Sequence, residues 1–208
     1  MLNKKKALRK IIKVRASAIS ADERRKREEI LHNNLFSMPE FLSAESVMLF
    51  ANLPDEIDTF SLIDKCFAMG KKVFLPVING DDMTVAEFTG EFKEGRFGIL
   101  EPVVELGVNG LITESRDNAC IVRDSVPEPV DVLLTDREKG PEHFDFVLVP
   151  GVAFSPNGYR LGRGKGYYDK FLSKYSNLFT VGVCFREQFY LDIPTEPHDV
   201  PMNKVLVI

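Results

Sequence analysis

In GYRLGRGKGYYD, residues 158–169, Gly162, Gly164 and Gly166 alternate, with Arg160, Arg163 and Lys165 set among them. A glycine has no Cβ, so its amide can approach a ligand closely and its backbone can take positive φ. Bare amides close to a helix start attract an anion, and arginine forks onto phosphate oxygens. The natural guest is phosphate. Two familiar phosphate loops fail on spacing. A Walker A loop would need glycine at Tyr159 and a hydroxyl at Gly166, and a dinucleotide fingerprint would need glycine at Tyr167 or Asp169. Asp169 sits one turn into the next helix, where it could cap the helix amides or hold a magnesium ion against phosphate oxygens. A magnesium site calls for a second carboxylate. Asp199, in the Pro-rich loop TEPHDVPMN, is a candidate and equally a plain loop acid; its neighbour His198 reads as a hydrogen-bonded loop residue before a catalyst.

The elements that must position these groups alternate. Leu8, Ile11, Ile12 and Val14 recur at helical spacing from Lys4 to Ala18, and Ser20 with Glu23 forms a capping-box signature ahead of Ile30, Leu31 and Leu35. SVMLFA (46–51) reads as a buried strand. Thr59 is placed to cap a helix with Leu62, Ile63, Cys66 and Phe67 on one face, closed by Gly70 before the strand KKVFLPVI. TVAEF (84–88) reads as a strand, FKEGRFGILEP as turns and an exposed loop, and 103–143 as an irregular insertion with room for one strand. FDFVLVPGVAF (144–154) reads as one fully buried strand. Beyond the glycine-rich stretch come a helix with Tyr168, Phe171, Leu172 and Tyr175 on one face, then the strands TVGVCF and KVLVI. Helices alternating with buried strands make an α/β protein with an open, at least partly parallel sheet. The glycine-rich stretch falls between a buried strand and a helix, where such sheets bind ligands.

Size and composition fit one domain over 1–208: 208 residues, 44% hydrophobic and 28% charged. No apolar run reaches the roughly 18 residues that span a bilayer, and the basic N-terminus lacks the apolar core of a secretory signal, although a transit peptide stays compatible with it. Cys66, Cys120 and Cys184 are odd in number and far apart, which fits a reducing compartment, and the expected location is cytoplasmic. Residues 1–27 carry eleven Lys or Arg against two acids, a balance of +9, so a net charge of -4 leaves -13 for the remainder. A basic arm can meet nucleic acid or a membrane surface, or be the solvated face of a helix; the acidic remainder argues against a nucleic-acid partner.

Taken together, PGVAFSPNGYRLGRGKGYYDKFL, ANLPDEIDT, FGILEP, EPHDVP and the N-terminal KKALRK resemble the 5-formyltetrahydrofolate cyclo-ligase family, in order along most of the chain. The resemblance implies a three-layer α/β/α fold of the NagB/RpiA/CoA-transferase-like kind. It implies an ATP- and Mg2+-dependent cyclisation of 5-formyltetrahydrofolate to 5,10-methenyltetrahydrofolate. It also implies ATP contacts at Lys5, Arg9 and the run Arg160, Leu161, Gly162, Arg163, Gly164, Lys165, Gly166, Tyr167 and Tyr168. The folate would be bordered by Glu56, Arg163, Gly164, Lys165, Gly166 and Tyr167, with catalytic duty on Arg163, Lys165 and Tyr167 and magnesium on Asp169 and Asp199. Three features depart from the family pattern: a longer insertion at 103–143, Ser155 where aspartate is common, and Lys165 where many relatives carry glycine. The basic first helix suits polyglutamylated folates, and monomer and homodimer both stay open. The alternatives are an ATP-dependent ligase or kinase acting on another small acid, and a nucleotide- or folate-binding module without turnover.

Overall fold

The computed structural model of the chain describes residues 2–95, 98, 100–103, 144–175 and 178–208. Helices α1 (Leu2–Ser17), α2 (Ala21–Leu35) and α3 (Pro39–Ser43) precede strand β1 (Ser46–Met48). Helix α4 (Phe60–Ala68) leads into β2 (Lys72–Asn79) and β3 (Asp82–Glu87), followed by two short strands, β4 (Phe92–Glu94) and β5 (Leu100–Pro102). Beyond residue 143 come β6 (Phe146–Val149), β7 (Ala153–Phe154), β8 (Arg160–Leu161), α5 (Tyr167–Leu172), β9 (Thr180–Cys184) and β10 (Lys204–Val207).

The central sheet has six strands in the order β10-β9-β6-β1-β2-β3, parallel throughout except for the β2–β3 pairing. Strand alternation sorts side chains to its two faces. Val47, Val73, Leu75, Phe146, Leu148, Val181 and Val183 meet Leu31, Leu35, Phe41, Leu62, Ile63 and Cys66 of α2–α4 on one face. Met48, Val147, Val149 and Cys184 meet Phe171 and Leu172 of α5 and Phe154 on the other. The fold is therefore a three-layer α/β/α arrangement around a mixed sheet. Helix α1 packs through Ile12 on Ala153, Leu161 and Ile193, which brings the basic arm against the β7–β8 pair.

Local chemistry explains both the agreements and the departures. Ser20 is the N-cap of α2 and accepts the Glu23 N–H at 3.2 Å, but the Glu23 carboxylate turns to Arg27 at 2.7 Å, so the capping box is half formed. Thr59 stands at the N-cap of α4 without capping it; its hydroxyl bonds the Phe50 carbonyl, and Asp58 accepts the Phe60 N–H at 3.0 Å instead. Gly70, φ 76°, follows the α4 C-cap as expected. The expected apolar stripes are narrower than read. Ile11, Val14, Ile30 and Phe67 are exposed while Ile12, Leu31, Leu35 and Cys66 are buried, because 3.6 residues per turn carries neighbours off the buried face. The run 144–154 is two strands, broken at Pro150-Gly151 where the ring removes a ladder N–H, and β7 pairs with β8 away from the main sheet. FKEGRFGILEP holds the antiparallel β4–β5 pair rather than only turns, with Phe92 packed on Phe60 and Phe88. The insertion expected at 103–143 lies outside the described residues beyond Val103.

Candidate active site

Taken as parallel strands alone, the sheet runs β2-β1-β6-β9-β10, so chain order reverses between β1 and β6. The carboxyl ends of strands at such a reversal form a natural crevice. A cleft of about 410 Å³ lies there, with Phe50 and Ala51 just after β1 and Pro150 and Gly151 just after β6. Lys5, Arg9, Glu56, the whole run Arg160–Asp169 and Asp199 all line it. Phe50, Leu53, Pro76, Ile78 and Met83 supply an apolar wall that no sequence motif announced.

The glycine-rich segment is shaped by its neighbours. Gly158, φ 80°, turns the chain against the Met202 backbone, whose N–H bonds the Gly158 carbonyl at 2.9 Å, and β8 then pairs Arg160 with Phe154. Arg9 donates from Nε to the Gly162 carbonyl at 2.8 Å, and its guanidinium lies where a side chain at Gly164, φ 109°, would project. Gly166, φ 70°, is the N-cap of α5. That helix has six residues, so its macrodipole is small, and the attraction for an anion falls mainly to the cations and free amides of the loop. Tyr167 donates from its hydroxyl to the Gly80 carbonyl at 3.3 Å, tying the loop to the β2–β3 turn.

Arg160, Arg163 and Lys5 are held by carboxylates, of which Glu56, Asp169 and Asp199 were expected in other tasks. Arg160 Nη2 is 2.9 Å from Asp169 Oδ1, yet its direction is poor, and both Nε and Nη2 are buried without a hydrogen-bond partner. Burial pulls this guanidinium below the ordinary arginine value while Asp169 and Tyr168 act the other way; it stays charged. The Tyr168 hydroxyl, also buried and unpartnered, is pushed up by burial. Arg163 reaches Asp55 at 2.6 Å and Glu56 at 3.0 Å. Lys5 contacts Glu196 at 2.8 Å and Asp199 at 2.9 Å; burial lowers its basicity, but the two acids outweigh it and raise it overall. Lys165 is exposed and has no ion-pair partner among the described residues.

Asp169 does not cap α5: its Oδ1 faces Arg160 and accepts the Val200 N–H at 3.4 Å. That bond places Asp169 beside the 199–200 backbone, so both expected magnesium carboxylates border the same end of the cleft. The donor set fits a hard cation, since carboxylate oxygens beside a phosphate-sized anion site are what Mg2+ takes. The unpartnered Arg160 Nε fits the anion. Sequence reading missed Glu196, which with His198 and Asp199 brings ligand atoms within 4.8 Å of one another, and Asp55, the second partner of Arg163. Glu196 falls within EPHDVP, but its use shows only once Lys5 packs on it.

A cleft at the sheet's switch point, walled by apolar side chains on one side and by a cationic glycine loop on the other, is the arrangement of an α/β enzyme. The 5-formyltetrahydrofolate cyclo-ligase family model matches residues 1–208, and the chain belongs to that family. It is thus a ligase of folate metabolism, and the cyclisation of 5-formyltetrahydrofolate that the family resemblance implied is borne out. It is 25% identical to mouse 5-formyltetrahydrofolate cyclo-ligase, covering 97% of this chain and 92% of the relative. Identity is 28% to the Escherichia coli K12 protein of the same name, over 94% and 96%. The solution structure of Aquifex aeolicus 5,10-methenyltetrahydrofolate synthetase superposes with a TM-score of 0.72 at 30% identity, covering 98% of this chain and 89% of that one.

Proposed function

We propose that the cleft binds ATP with Mg2+ beside 5-formyltetrahydrofolate and closes the formyl group onto N10. The observation that carries this reading is Arg160: a buried guanidinium whose Nη2 is ion-paired to Asp169 but whose Nε has no partner, in a loop of bare amides that lines the cleft. Buried donors without partners are costly, and an oxyanion relieves that cost. Lys5, Arg9 and residues 160–168 surround the nucleotide phosphates on this reading, while Glu56 and residues 163–167 border the folate, whose flat ring system suits the wall of Phe50, Leu53, Pro76, Ile78 and Met83. Asp169 and Asp199 would hold the Mg2+, which supplies charge neutralisation to the phosphates. On this reading Arg163, Lys165 and Tyr167, which line the cleft, border both ligands.

A formamide is a weak electrophile and its oxygen a poor leaving group. Attack of the formyl oxygen on the γ-phosphorus of ATP releases ADP and leaves phosphate on that oxygen. The N10 lone pair then attacks the formyl carbon, the C–O bond breaks with phosphate as leaving group, and the N10 proton passes to that phosphate. The protein's part is to align oxygen, phosphorus and N10 and to balance charge on the equatorial oxygens. Arg163 is held by Asp55 and Glu56 through Nη2 and Nε, so a ligand meets an ion-paired guanidinium that offers Nη1 rather than a free cation. Calorimetry of ATP with Mg2+ tests the reading: Arg160→Lys keeps charge but loses the fork, and about tenfold weaker binding is expected. Unchanged affinity would remove Arg160 from the nucleotide site.

A further inference from the structure

Lys5 sits where α1 meets the loop before β10, with its side chain only 10% exposed. Its Nζ lies between Glu196 Oε2 and Asp199 Oδ2. The two acids are fixed relative to each other: Glu196 N–H donates to Asp199 Oδ2 at 2.8 Å, and Asp199 N–H donates to the Glu196 carbonyl at 2.9 Å. Asp199 Oδ1 turns away from Lys5, toward His198 Nε2 at 3.7 Å. On the magnesium reading of Asp199, which the role of Glu196 presupposes, one carboxylate serves two cations: a lysine ammonium and a divalent ion. Cations sharing a carboxylate repel, and the repulsion is screened least where water is scarce. A second anion on the ammonium's side relieves it.

We propose that Glu196 is the positioning residue of this site: it shares the Lys5 ammonium with Asp199 Oδ2, so that the lysine does not fall wholly on Asp199 and Asp199 Oδ1 is left for the divalent cation. Lys5 and Glu196 are 191 residues apart, which is why the pairing is invisible in the motif. Glu196 acts through Lys5 rather than on the reacting atoms. Removing its charge would drive Lys5 wholly onto Asp199 and set ammonium and metal in competition.

The test is Mn2+ binding to the full-length protein, followed by electron paramagnetic resonance with a non-hydrolysable ATP analogue and no folate, so that turnover plays no part. Glu196→Gln should weaken Mn2+ about tenfold, and Glu196→Asp should stay within about threefold of wild type. In a Lys5→Met background, adding Glu196→Gln should change Mn2+ affinity less than about twofold, because the ammonium it restrains is gone. A merely structural role would weaken Mn2+ equally in both backgrounds, and that result, or unchanged affinity in Glu196→Gln, overturns the proposal. Asp199→Asn separates the two layers. If it weakens Mn2+ while Glu196→Gln does not, only the role of Glu196 falls; if it leaves Mn2+ binding intact, the magnesium reading falls and the role of Glu196 with it.

Discussion

Arg163 shows how far residue types alone carry. Its guanidinium among glycines reads as an anion ligand, yet its partners Asp55 and Glu56 lie 108 and 107 positions away. Lys5 pairs with Asp199 across 194 positions. Motif spacing exposes the donor and acceptor types in a site but not their pairing, because pairing is made by the topology. On the proposed reading Arg163→Ala removes a charge-assisted phosphate contact, so kcat/KM should fall roughly tenfold to a hundredfold, about 1.5–3 kcal/mol. Steady-state kinetics checks it, and an unchanged value would take Arg163 out of the site. Asp55 has its own pH signature. Burial alone would raise its pKa, but the hydrogen bond and charge of Arg163 win and lower it. Its pairing therefore adds stability above the unfolded value near 3.9, and that contribution is lost as pH falls through the lower folded value. Asp55→Asn should flatten the acid limb of a thermal-stability profile below about pH 4, measured against wild type.

Elements differ in how much of themselves they show. Helix α2 and strand β2 were legible because a cap or a long apolar run marks them. The β7–β8 pair was not, since strands of two residues carry no period, and its two halves are tied by the Gly158 turn against Met202 rather than by any local pattern. Gly158 is a sharp test of that tie. Its φ of 80° is strained for other residues, and an added Cβ would strike the Met202 carbonyl backbone. Gly158→Ala should cost about 2–4 kcal/mol, read as a lower midpoint in urea unfolding. A second joint is Asp145, whose carboxylate accepts the Glu45 and Ser46 N–H groups and the Ser46 hydroxyl, each at 2.9 Å, and so registers β6 on β1. Burial opposes its ionised form, yet those bonds lower its pKa overall. Asp145→Asn keeps an acceptor oxygen but loses its charge, so it should cost about 0.5–1 kcal/mol at neutral pH and less as pH falls through the folded value, because wild type then loses that charge too.

For the whole molecule, alternating helices and strands gave the α/β class, whereas strand order did not follow from the pattern. The reversal between β1 and β6 depends on which way each crossover returns, and it is this reversal that opens the cleft. The charge asymmetry also changes meaning in three dimensions. Part of the basic N-terminal segment docks on acids of the C-terminal half, Lys5 on Glu196 and Asp199 and Arg27 on Glu187 at 2.7 Å, so those cations are engaged in packing the two ends of the chain together. No helix among the described residues is long and apolar enough to cross a membrane. Because ligand binds the folded state, ATP with Mg2+ at about a hundred times Kd should add about 2.7 kcal/mol of stability, seen as a raised melting temperature that Asp169→Asn diminishes. The most direct measurement is the near-ultraviolet absorbance of 5,10-methenyltetrahydrofolate formed from 5-formyltetrahydrofolate by the purified chain, with and without ATP at fixed Mg2+. Product that appears with ATP, and not without it, is the expected result; no product with all three present at high enzyme concentration, or equal product without ATP, would contradict the ATP-driven cyclisation.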